Sequence, residues 1–301
     1  MKIQKLIKPE YYYQPKRLFK RLFYSHFLVR DTEFIDEALL WGTTIRVRPK
    51  EEHGKILSTL GVIDLVVTET LWRLAEPGEL AIDVGANIGY MTSVLAARVS
   101  SSPGGSVWSF EAHPDIFSEL KFNVDNWQEK LKTVKFSIKN IAVSEQKGKV
   151  QLQVPDAFKN NRGLSSVISV AEVTDKSIIL ESCSLDDLFL ESREIGVMKL
   201  DVEGHELQVL KGAKQLFQQK KIRDCVFEEH REYPTPVTSF FEEMGYKIFR
   251  IQRSLFKPIL LNPDSKVPRT NWEPTSFIAT SNPDRVVNLF KESGWQVFKS
   301  R

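Results

Sequence analysis

The residues of this chain best suited to proton chemistry are two carboxylates in the segment KLDVEGHE, residues 199–206. The apolar run at 197–202 predicts a β-strand, in which alternation places Lys199, Asp201 and Glu203 on one face. Carboxylates in an otherwise apolar strand are costly to bury unless they pair with a charge or bind a ligand. Asp201 and Glu203 are therefore candidate catalytic residues that could take a proton from a substrate.

His205 follows these acids at the start of a predicted helix and is a third candidate proton acceptor. Each of the three residues also has a structural alternative. The carboxylates of Asp201 and Glu203 could cap that helix or pair with Lys199, and His205 could be a solvated polar residue.

A loop with two glycines at 85–89 supplies a second candidate site. Leu80–Val84, before it, is a short apolar run typical of a strand, and residues 88–99 favour a helix. Glycines in such a turn tolerate positive φ and let a ligand approach the backbone. In open α/β sheets, nucleotide-like ligands bind at this turn. The candidate ligand-binding residues here are Asp83, Gly85, Asn87 and Gly89.

Glu111 completes this second site. It follows the β-prone run 106–110, about twenty residues after Gly89, where an acid can accept both hydroxyls of an adenosine ribose. Gly85 and Gly89 stand four positions apart, which departs from the G-x-G-x-x-G spacing of NAD-binding loops. The loop and the acid therefore predict an adenosine-containing ligand and disfavour a dinucleotide.

The elements that must position these residues alternate between helices and strands. A helix is predicted at 61–74, and an amphipathic crossover helix begins at Pro114. Further strands are predicted at 134–143, 225–229, 246–251 and 276–280. This alternation predicts an α/β fold with the candidate residues at the carboxyl ends of parallel strands. Residues 155–176 have weak secondary-structure signals and are predicted to form a loop, which is either a substrate loop or an ordinary insertion.

Composition narrows the class of protein. The chain has 301 residues, of which 42% are hydrophobic, and this suffices for a globular core. It has only two cysteines, which favours a reducing, cytoplasmic compartment.

An oxygen-rich metal site could be assembled from Asp201, Glu203, Glu228 and His230. No fixed ligand spacing supports it, and we predict no metal.

Residues 1–30 form a basic arm, with eight basic residues against one acidic residue, whereas the whole chain has a net charge of +3. Aromatic residues are interleaved with the basic ones, and no uncharged apolar run is long enough for a signal peptide or a membrane span. Packing of the arm on the body is one interpretation. Contact with a membrane surface is another, and it would make the protein peripheral to a membrane. Contact with nucleic acid is the least favoured.

The motifs together resemble the FkbM family of S-adenosylmethionine-dependent methyltransferases. The resemblance covers residues 61–280 and rests on LAIDVGANIG at 80–89, FEAHP at 110–114, IAVS at 141–144, SLDDL at 184–188, KLDVEGHE at 199–206 and VFEEH at 226–230. It implies a Rossmann-like class I methyltransferase fold, with a seven-stranded, mostly parallel sheet, helices on both faces and an antiparallel last strand. Residues 1–50 match none of these motifs, so we predict an N-terminal extension at 1–50 and a methyltransferase domain at 51–301.

The resemblance also implies roles for the candidate residues. S-Adenosylmethionine would be the methyl donor, and the usual acceptor is a hydroxyl oxygen. Asp201 and Glu203 match the acidic motif of the family near the methyl group. The donor-binding residues implied by the motif match are Asp83, Gly85, Asn87, Gly89, Glu111 at the ribose and Ala142 beside the adenine.

The sequence therefore predicts an O-methyltransferase that acts on a hydroxyl of a sugar, a glycan or a secondary metabolite. An amino-group methyltransferase of nucleic acid is disfavoured, because the segment DVEG at 201–204 lacks the Asn/Asp-Pro-Pro-aromatic run expected there. The alternative from another class is a non-catalytic domain that binds an adenosine ligand and docks through the basic arm.

Overall fold

The computed structural model describes residues 8–17, 32–153, 166–168, 177–268 and 275–299. In chain order the strands are β1 (Ile35–Ala38), β2 (Thr44–Val47), β3 (Leu80–Val84), β4 (Ser106–Phe110), β5 (Lys135–Lys139), β6 (Ala142–Val143), β7 (Gly148–Gln153), β8 (Ser166–Ile168), β9 (Ser177–Cys183), β10 (Ile195–Leu200), β11 (Ile222–Glu228), β12 (Lys247–Arg253), β13 (Pro258–Leu261) and β14 (Ser276–Thr280). The helices are α1 (Pro9–Tyr13), α2 (Glu52–Leu60), α3 (Leu65–Leu74), α4 (Tyr90–Val99), α5 (Pro114–Lys130), α6 (Leu185–Phe189), α7 (Glu206–Lys211), α8 (Lys214–Gln218), α9 (Pro236–Glu243) and α10 (Pro283–Lys291), followed by a 3-10 helix at Gln296–Lys299. Most of the basic arm, and the loop predicted at 155–176 apart from β8, lie outside the described residues.

A central eight-stranded sheet has the order β13-β12-β14-β11-β10-β3-β4-β5. From β5 to β11 the neighbouring strands are parallel, and β14 runs antiparallel between β11 and β12. This topology confirms the predicted α/β class and the antiparallel last strand. Seven of the eight strands are those of the predicted sheet, and β13 adds an antiparallel partner at the edge of β12.

Helices cover both faces of this sheet, because alternate strand residues point to opposite sides. In β3, Ala81 belongs to a core that includes residues of α3, α4 and α5. Leu80 and Ile82 belong to a second core that includes residues of α7, α8 and α9. Every residue of β3 and of β10 is buried, as expected for parallel strands covered on both faces.

The strand predicted at 134–143 is divided in two, so this prediction is wrong in part. β5 belongs to the central sheet, whereas β6 belongs to a separate four-stranded sheet of order β6-β9-β7-β8. Between them, the side-chain amide of Asn140 donates to the carbonyl oxygens of Glu111 and Ala112, both at 2.9 Å. These hydrogen bonds hold the chain beside the end of β4 as it leaves the central sheet.

Part of the N-terminal extension packs on the body of the protein. Glu10 and Tyr11 of α1 are buried. Tyr13 stacks on Phe298 with ring centroids 5.0 Å apart, and Arg17 donates to carbonyl oxygens near the end of α2. The division of the chain at residue 50 stays a prediction.

The helices are short compared with the thickness of a lipid bilayer. α5, with 17 residues, is the longest in the part of the chain that the structure describes. No helix in those ranges combines the length and the apolar character needed to cross a membrane.

Candidate active site

A cavity of about 600 Å³ lies at the carboxyl ends of β3, β4, β10 and β11. Small-molecule sites have volumes of roughly 300–1,000 Å³, so the cavity is large enough for a ligand of this class. The predicted site residues that line it are Gly85, Asn87, Glu111, Ala142, Asp201, Glu203 and His205. The structure therefore brings the predicted donor loop and all three predicted catalytic residues into one site. Of the predicted residues, Asp83 and Gly89 are not in its described lining.

Gly85 holds the loop against the end of β10. Its φ of +78° lies in the left-handed region that favours glycine. A Cβ at this position would lie 1.8 Å from the carbonyl oxygen of Asp201. The backbone N–H groups of Gly85 and Ala86 both donate to the carbonyl oxygen of Phe110, at 3.0 and 2.9 Å. This glycine is thus required by the close approach of two backbone segments, which fixes the loop relative to Asp201.

Glu111 fastens the loop from the other side. Its carboxylate accepts hydrogen bonds from the backbone N–H groups of Asn87 and His113, both at 2.8 Å. Asn87 has a φ of +50°, which asparagine tolerates better than most residues. Burial raises the pKa of Glu111 to about 7, although the two backbone hydrogen bonds oppose the shift. Each carboxylate oxygen keeps a further lone pair, so Glu111 can still accept hydroxyl groups of a ligand.

Gly89 and Asp83 support this loop from behind. A Cβ on Gly89 would lie 2.7 Å from Cδ1 of Leu120, so the glycine permits close packing of α5. Asp83 is fully buried. Its Oδ2 accepts a hydrogen bond from the hydroxyl of Thr92 at 2.6 Å, and its Oδ1 lies 3.9 Å from Nζ of Lys199. Ligand contacts stay a prediction for both residues, and both side-chain positions face other parts of the protein.

Ala142 belongs to an apolar wall of the cavity. Its neighbours in this wall are Ile141, Val143 and Leu152, and Ala142, Val143 and Leu152 are buried. An apolar surface of this kind suits the face of a planar ring.

Lys199 and Asp201 form an ion pair in the cavity. Nζ of Lys199 donates to Oδ2 of Asp201 at 3.0 Å and to the carbonyl oxygen of Gly85 at 3.2 Å. Burial lowers the pKa of Lys199, but the charges of Asp201 and Asp83 outweigh it and raise the pKa above its ordinary value. The lysine therefore stays charged, and the pairing alternative predicted for Asp201 is present.

Glu203 has no such partner. Within the described ranges, no hydrogen bond or ion pair engages its carboxyl group. Its φ of +49° is uncommon for a residue other than glycine, and backbone conformations of this kind are concentrated at functional sites. Burial, followed by the charge of Asp201, raises the pKa of Glu203 above its ordinary value. Glu203 is therefore better placed than Asp201 to accept a proton.

His205 contacts Ser144, the residue that directly follows β6. Its Nε2 lies 3.0 Å from Oγ of Ser144. Burial lowers the pKa of His205 to about 4, so the imidazole is neutral at pH 7 and binds a proton weakly. It is less suited than Glu203 to remove a proton from a hydroxyl.

Several charged or titratable residues in the cavity were not assigned to a site by the sequence analysis. They include Lys8, Glu10, Glu52, His53, Asp64 and Arg253. Glu228, which was considered above only for a metal site, also lines the cavity. Nη1 of Arg253 lies 2.9 and 3.1 Å from the two carboxylate oxygens of Glu10. Because these two residues are 243 positions apart, no local pattern could pair them. Glu228 was detectable, since it stands at the carboxyl end of a predicted strand.

The comparisons with known proteins give the family. A family model described as the methyltransferase FkbM domain matches residues 83–248, more than half of the chain. The chain belongs to this family. The hexuronic acid methyltransferase AglP of Haloferax volcanii is 27% identical over 213 residues, which cover 69% of this chain and 80% of that protein. The solved structure of methyltransferase FkbM from Methylobacillus flagellatus is 16% identical, with a TM-score of 0.42 over 67% of this chain and 43% of that chain.

The FkbM match covers only part of the cavity lining. The matched range 83–248 contains the glycine loop, Glu111, the two acids after β10 and Glu228. The remaining charged lining residues lie in or directly before α1, α2 and α3 and at the end of β12, outside the matched range. In this FkbM methyltransferase the cavity therefore joins family motifs to parts of the chain beyond them.

Proposed function

We propose that this FkbM methyltransferase transfers the methyl group of S-adenosylmethionine to a hydroxyl oxygen of a sugar. The observation that carries the proposal is the carboxyl group of Glu203, which pairs with none of the described residues and lies in the same cavity as the glycine loop and Glu111. The likeness to a hexuronic acid methyltransferase supports a sugar as the acceptor.

The residues around the glycine loop fit an adenosine-containing donor. Glu111 would accept the ribose hydroxyls with the lone pairs that its two backbone contacts leave. The apolar wall around Ala142 would cover the adenine. S-Adenosylmethionine supplies a methyl group bound to a positively charged sulfur, which makes the methyl carbon electrophilic.

Glu203 would remove the proton of the acceptor hydroxyl. Its raised pKa makes it a stronger base than an ordinary glutamate. Asp201 is less available, because Lys199 donates to it at 3.0 Å. Asp201 would then act with Lys199 to hold the end of β10 against the loop carbonyl of Gly85. General base catalysis of this kind contributes roughly 10²–10⁴-fold to a rate.

The other charged lining residues would orient the acceptor. Lys8, His53 and Arg253 carry hydrogen-bond donors that suit the several hydroxyl groups of a sugar, and Glu10 would hold Arg253 in place. A methyl transfer of this type is an in-line displacement, and holding the reacting atoms in line supplies a large part of the rate.

The test is an assay of the purified protein with S-adenosylmethionine and paired acceptors, p-nitrophenyl glucoside and p-nitrophenyl glucuronide. Release of S-adenosylhomocysteine is measured, and NMR of the product distinguishes a methyl ether from a methyl ester. We expect a methyl ether. Glu203→Gln should lower kcat by roughly 100-fold or more, because the proton acceptor is lost.

The matched control is Glu191→Gln, which changes an exposed glutamate outside the cavity and should leave kcat unchanged. Formation of a methyl ester would reject a hydroxyl acceptor. Binding of S-adenosylhomocysteine without transfer to either acceptor, or to a wider panel of sugars, would favour the non-catalytic adenosine-binding alternative. Unchanged kcat in Glu203→Gln would remove Glu203 from the reaction.

A further inference from the structure

Glu228 is a lining residue whose carboxyl group has no direct partner among the described residues. It is the last residue of β11, and β11 pairs with β10 directly before the acids Asp201 and Glu203. Its side chain is partly buried and lines the cavity. In the part of the chain that the structure describes, no hydrogen bond or ion pair engages its carboxyl group.

The charged groups around Glu228 come from β10 with the residues that follow it and from the start of α3. Asp201 and Glu203 follow β10, Asp64 caps the start of α3, and Lys199 lies within β10. Lys199 already donates to Asp201 and to a loop carbonyl, and it makes no ion pair with Glu228. Glu228 is therefore near three carboxyl groups and one lysine that already donates hydrogen bonds elsewhere.

This environment disfavours the charged form of Glu228. Burial, followed by the charges of Asp201 and Asp64, raises the pKa of Glu228 to about 9. A protonated carboxyl group carries one O–H donor in addition to its acceptor lone pairs. At neutral pH, Glu228 thus presents a hydrogen-bond donor to a cavity in which Glu203 and Asp201 present acceptors.

We propose that Glu228 binds the acceptor as an uncharged carboxylic acid, donating a hydrogen bond to an oxygen of the acceptor while Glu203 takes the proton of the reacting hydroxyl. The inference rests on the proposed methyl transfer to a hydroxyl. It assigns opposite tasks to two neighbouring glutamates: Glu228 holds the acceptor, and Glu203 activates it. It also implies that the part of the acceptor in contact with Glu228 is uncharged and carries an oxygen atom. An anionic group there would be repelled by Asp201, Glu203 and Asp64.

The first part of the experiment needs no acceptor. The unfolding temperatures of wild type and Glu228→Gln are measured from pH 5 to pH 9. The folded-state pKa of Glu228 is raised above the ordinary value of 4.5, so the wild type loses stability relative to the variant as pH rises through about 9. We expect the two curves to diverge with increasing pH. Parallel curves would reject an uncharged Glu228.

Glu229→Gln is the matched control for this measurement. Glu229 is the next residue, but Arg231 donates to both of its carboxylate oxygens at 2.9–3.0 Å, and its pKa is lowered. It is ionised throughout the range from pH 5 to pH 9. Its variant should therefore differ from wild type by a constant offset, whereas the offset of Glu228→Gln should grow with pH.

The second part measures methyl transfer to the acceptor that the assay above identifies. Glu228→Gln keeps a donor group and should keep kcat and the acceptor KM within about threefold of wild type at pH 7. Glu228→Ala should raise the acceptor KM by about tenfold or more, because a hydrogen bond to the acceptor is lost. The dissociation constant of S-adenosylhomocysteine should not change in either variant. Above pH 9 the wild-type KM should rise, and that of Glu228→Gln should stay constant.

The outcomes separate this inference from the proposed function. Loss of activity in Glu228→Gln as severe as in Glu228→Ala would mean that Glu228 must be charged, and would overturn the inference. An unchanged KM in Glu228→Ala would also overturn it. If wild type methylates no sugar although it binds S-adenosylhomocysteine, the proposed function fails, while the pH-dependent stability curves still decide whether Glu228 is uncharged.

Discussion

The two sides of the cavity are built in different ways. The side proposed to bind the donor consists of the glycine loop, Glu111 and the wall around Ala142, all within residues 80–152. Its geometry depends mainly on backbone groups, such as the N–H groups that Glu111 accepts from. The side proposed to bind the acceptor consists of Lys8, Glu10, His53, Glu203, Glu228 and Arg253, which come from distant parts of the chain. Its geometry depends on charged side chains.

This difference suggests which groups would recognise the donor and which would select the acceptor. Backbone groups in a fixed loop recognise features that are the same in every donor molecule, so their geometry is set by local sequence. Side chains on separate elements can change independently, so under the proposed function they would determine which acceptor fits. Mutations on the donor side should therefore abolish ligand binding or folding, whereas mutations on the acceptor side should change stability or KM selectively.

The largest effect is expected for Gly85→Ala. A Cβ there would lie 1.8 Å from the carbonyl oxygen of Asp201, and φ is +78°. Steric overlap and backbone strain each cost roughly 1–3 kcal/mol, so the free energy of unfolding should fall by roughly 2–6 kcal/mol. Gly42→Ala is the control, because Gly42 also has a positive φ, +88°, but nothing lies within 4 Å of its Cβ position. Urea denaturation should show a smaller loss for Gly42→Ala. Equal losses would mean that the contact with Asp201 is unimportant.

Glu10→Gln tests the acceptor side. The side chains of Glu10 and Arg253 are 2% and 9% exposed, so the substitution leaves a buried arginine without its carboxylate. Breaking a buried pair in this way costs roughly 3–5 kcal/mol. Donor binding should persist in the folded fraction, and the dissociation constant of S-adenosylhomocysteine, measured by calorimetry, should not change. Loss of donor binding in the folded variant would contradict the division of the cavity into two sides.

The matched control for that variant is Asp125→Asn. Asp125 pairs with Lys121 on the surface of α5, where both side chains are more than half exposed. Removing this pair should cost at most roughly 0.5 kcal/mol. A comparable loss in both variants would show that the Glu10–Arg253 pair has no special role in stability.

Glu111→Ala should abolish most donor binding. The substitution removes the acceptor for the ribose hydroxyls and also frees the N–H groups of Asn87 and His113. Hydrogen bonds to a charged group are worth roughly 1.5–3 kcal/mol, so affinity for S-adenosylhomocysteine should fall by at least about tenfold. Thermal unfolding with and without this ligand measures the effect. Glu129→Ala, an exposed change on α5, should keep the full ligand-induced shift.

The same residue should make donor binding depend on pH. The pKa of Glu111 in the folded protein is raised to about 7, above its ordinary value of 4.5. The stability that its proton contributes is therefore present below about pH 4.5 and is lost as pH rises through about 7. Ligand hydroxyls require the ionised form as acceptor, so affinity should fall as pH decreases from 8 to 6, by up to about tenfold per pH unit below 7. Glu111→Gln should show no such dependence, and a pH-independent wild type would contradict this prediction.

His205→Asn should have the smallest effect. His205 is already neutral at pH 7, because burial lowers its pKa to about 4, and its contact is a hydrogen bond with Ser144. We expect kcat to fall by less than about tenfold, and the activity profile between pH 6 and pH 8 to keep its shape. A loss as large as that of Glu203→Gln would instead make His205 the proton acceptor.

Local sequence was sufficient to place the residues of the side proposed to bind the donor. A strand, a glycine loop, a helix and a second strand follow one another within 80–111, so the identities and spacing of Gly85, Asn87 and Glu111 were sufficient to place them together. The same holds for the acids after β10, since parallel strands end at the same edge of a sheet. The α/β class followed from the alternation of helical and strand patterns.

The tertiary structure sets which side chains face the cavity and which charged groups form ion pairs. Gly89 has the residue type and spacing of a ligand-binding glycine, yet its Cβ position faces Leu120. Asp201 and Glu203 look alike in the sequence, but Lys199 pairs with Asp201 and leaves Glu203 available. Glu10 meets Arg253 across 243 positions. Orientation, burial and charge pairing depend on the path of the whole chain, whereas strands, turns and helices depend on residues a few positions apart.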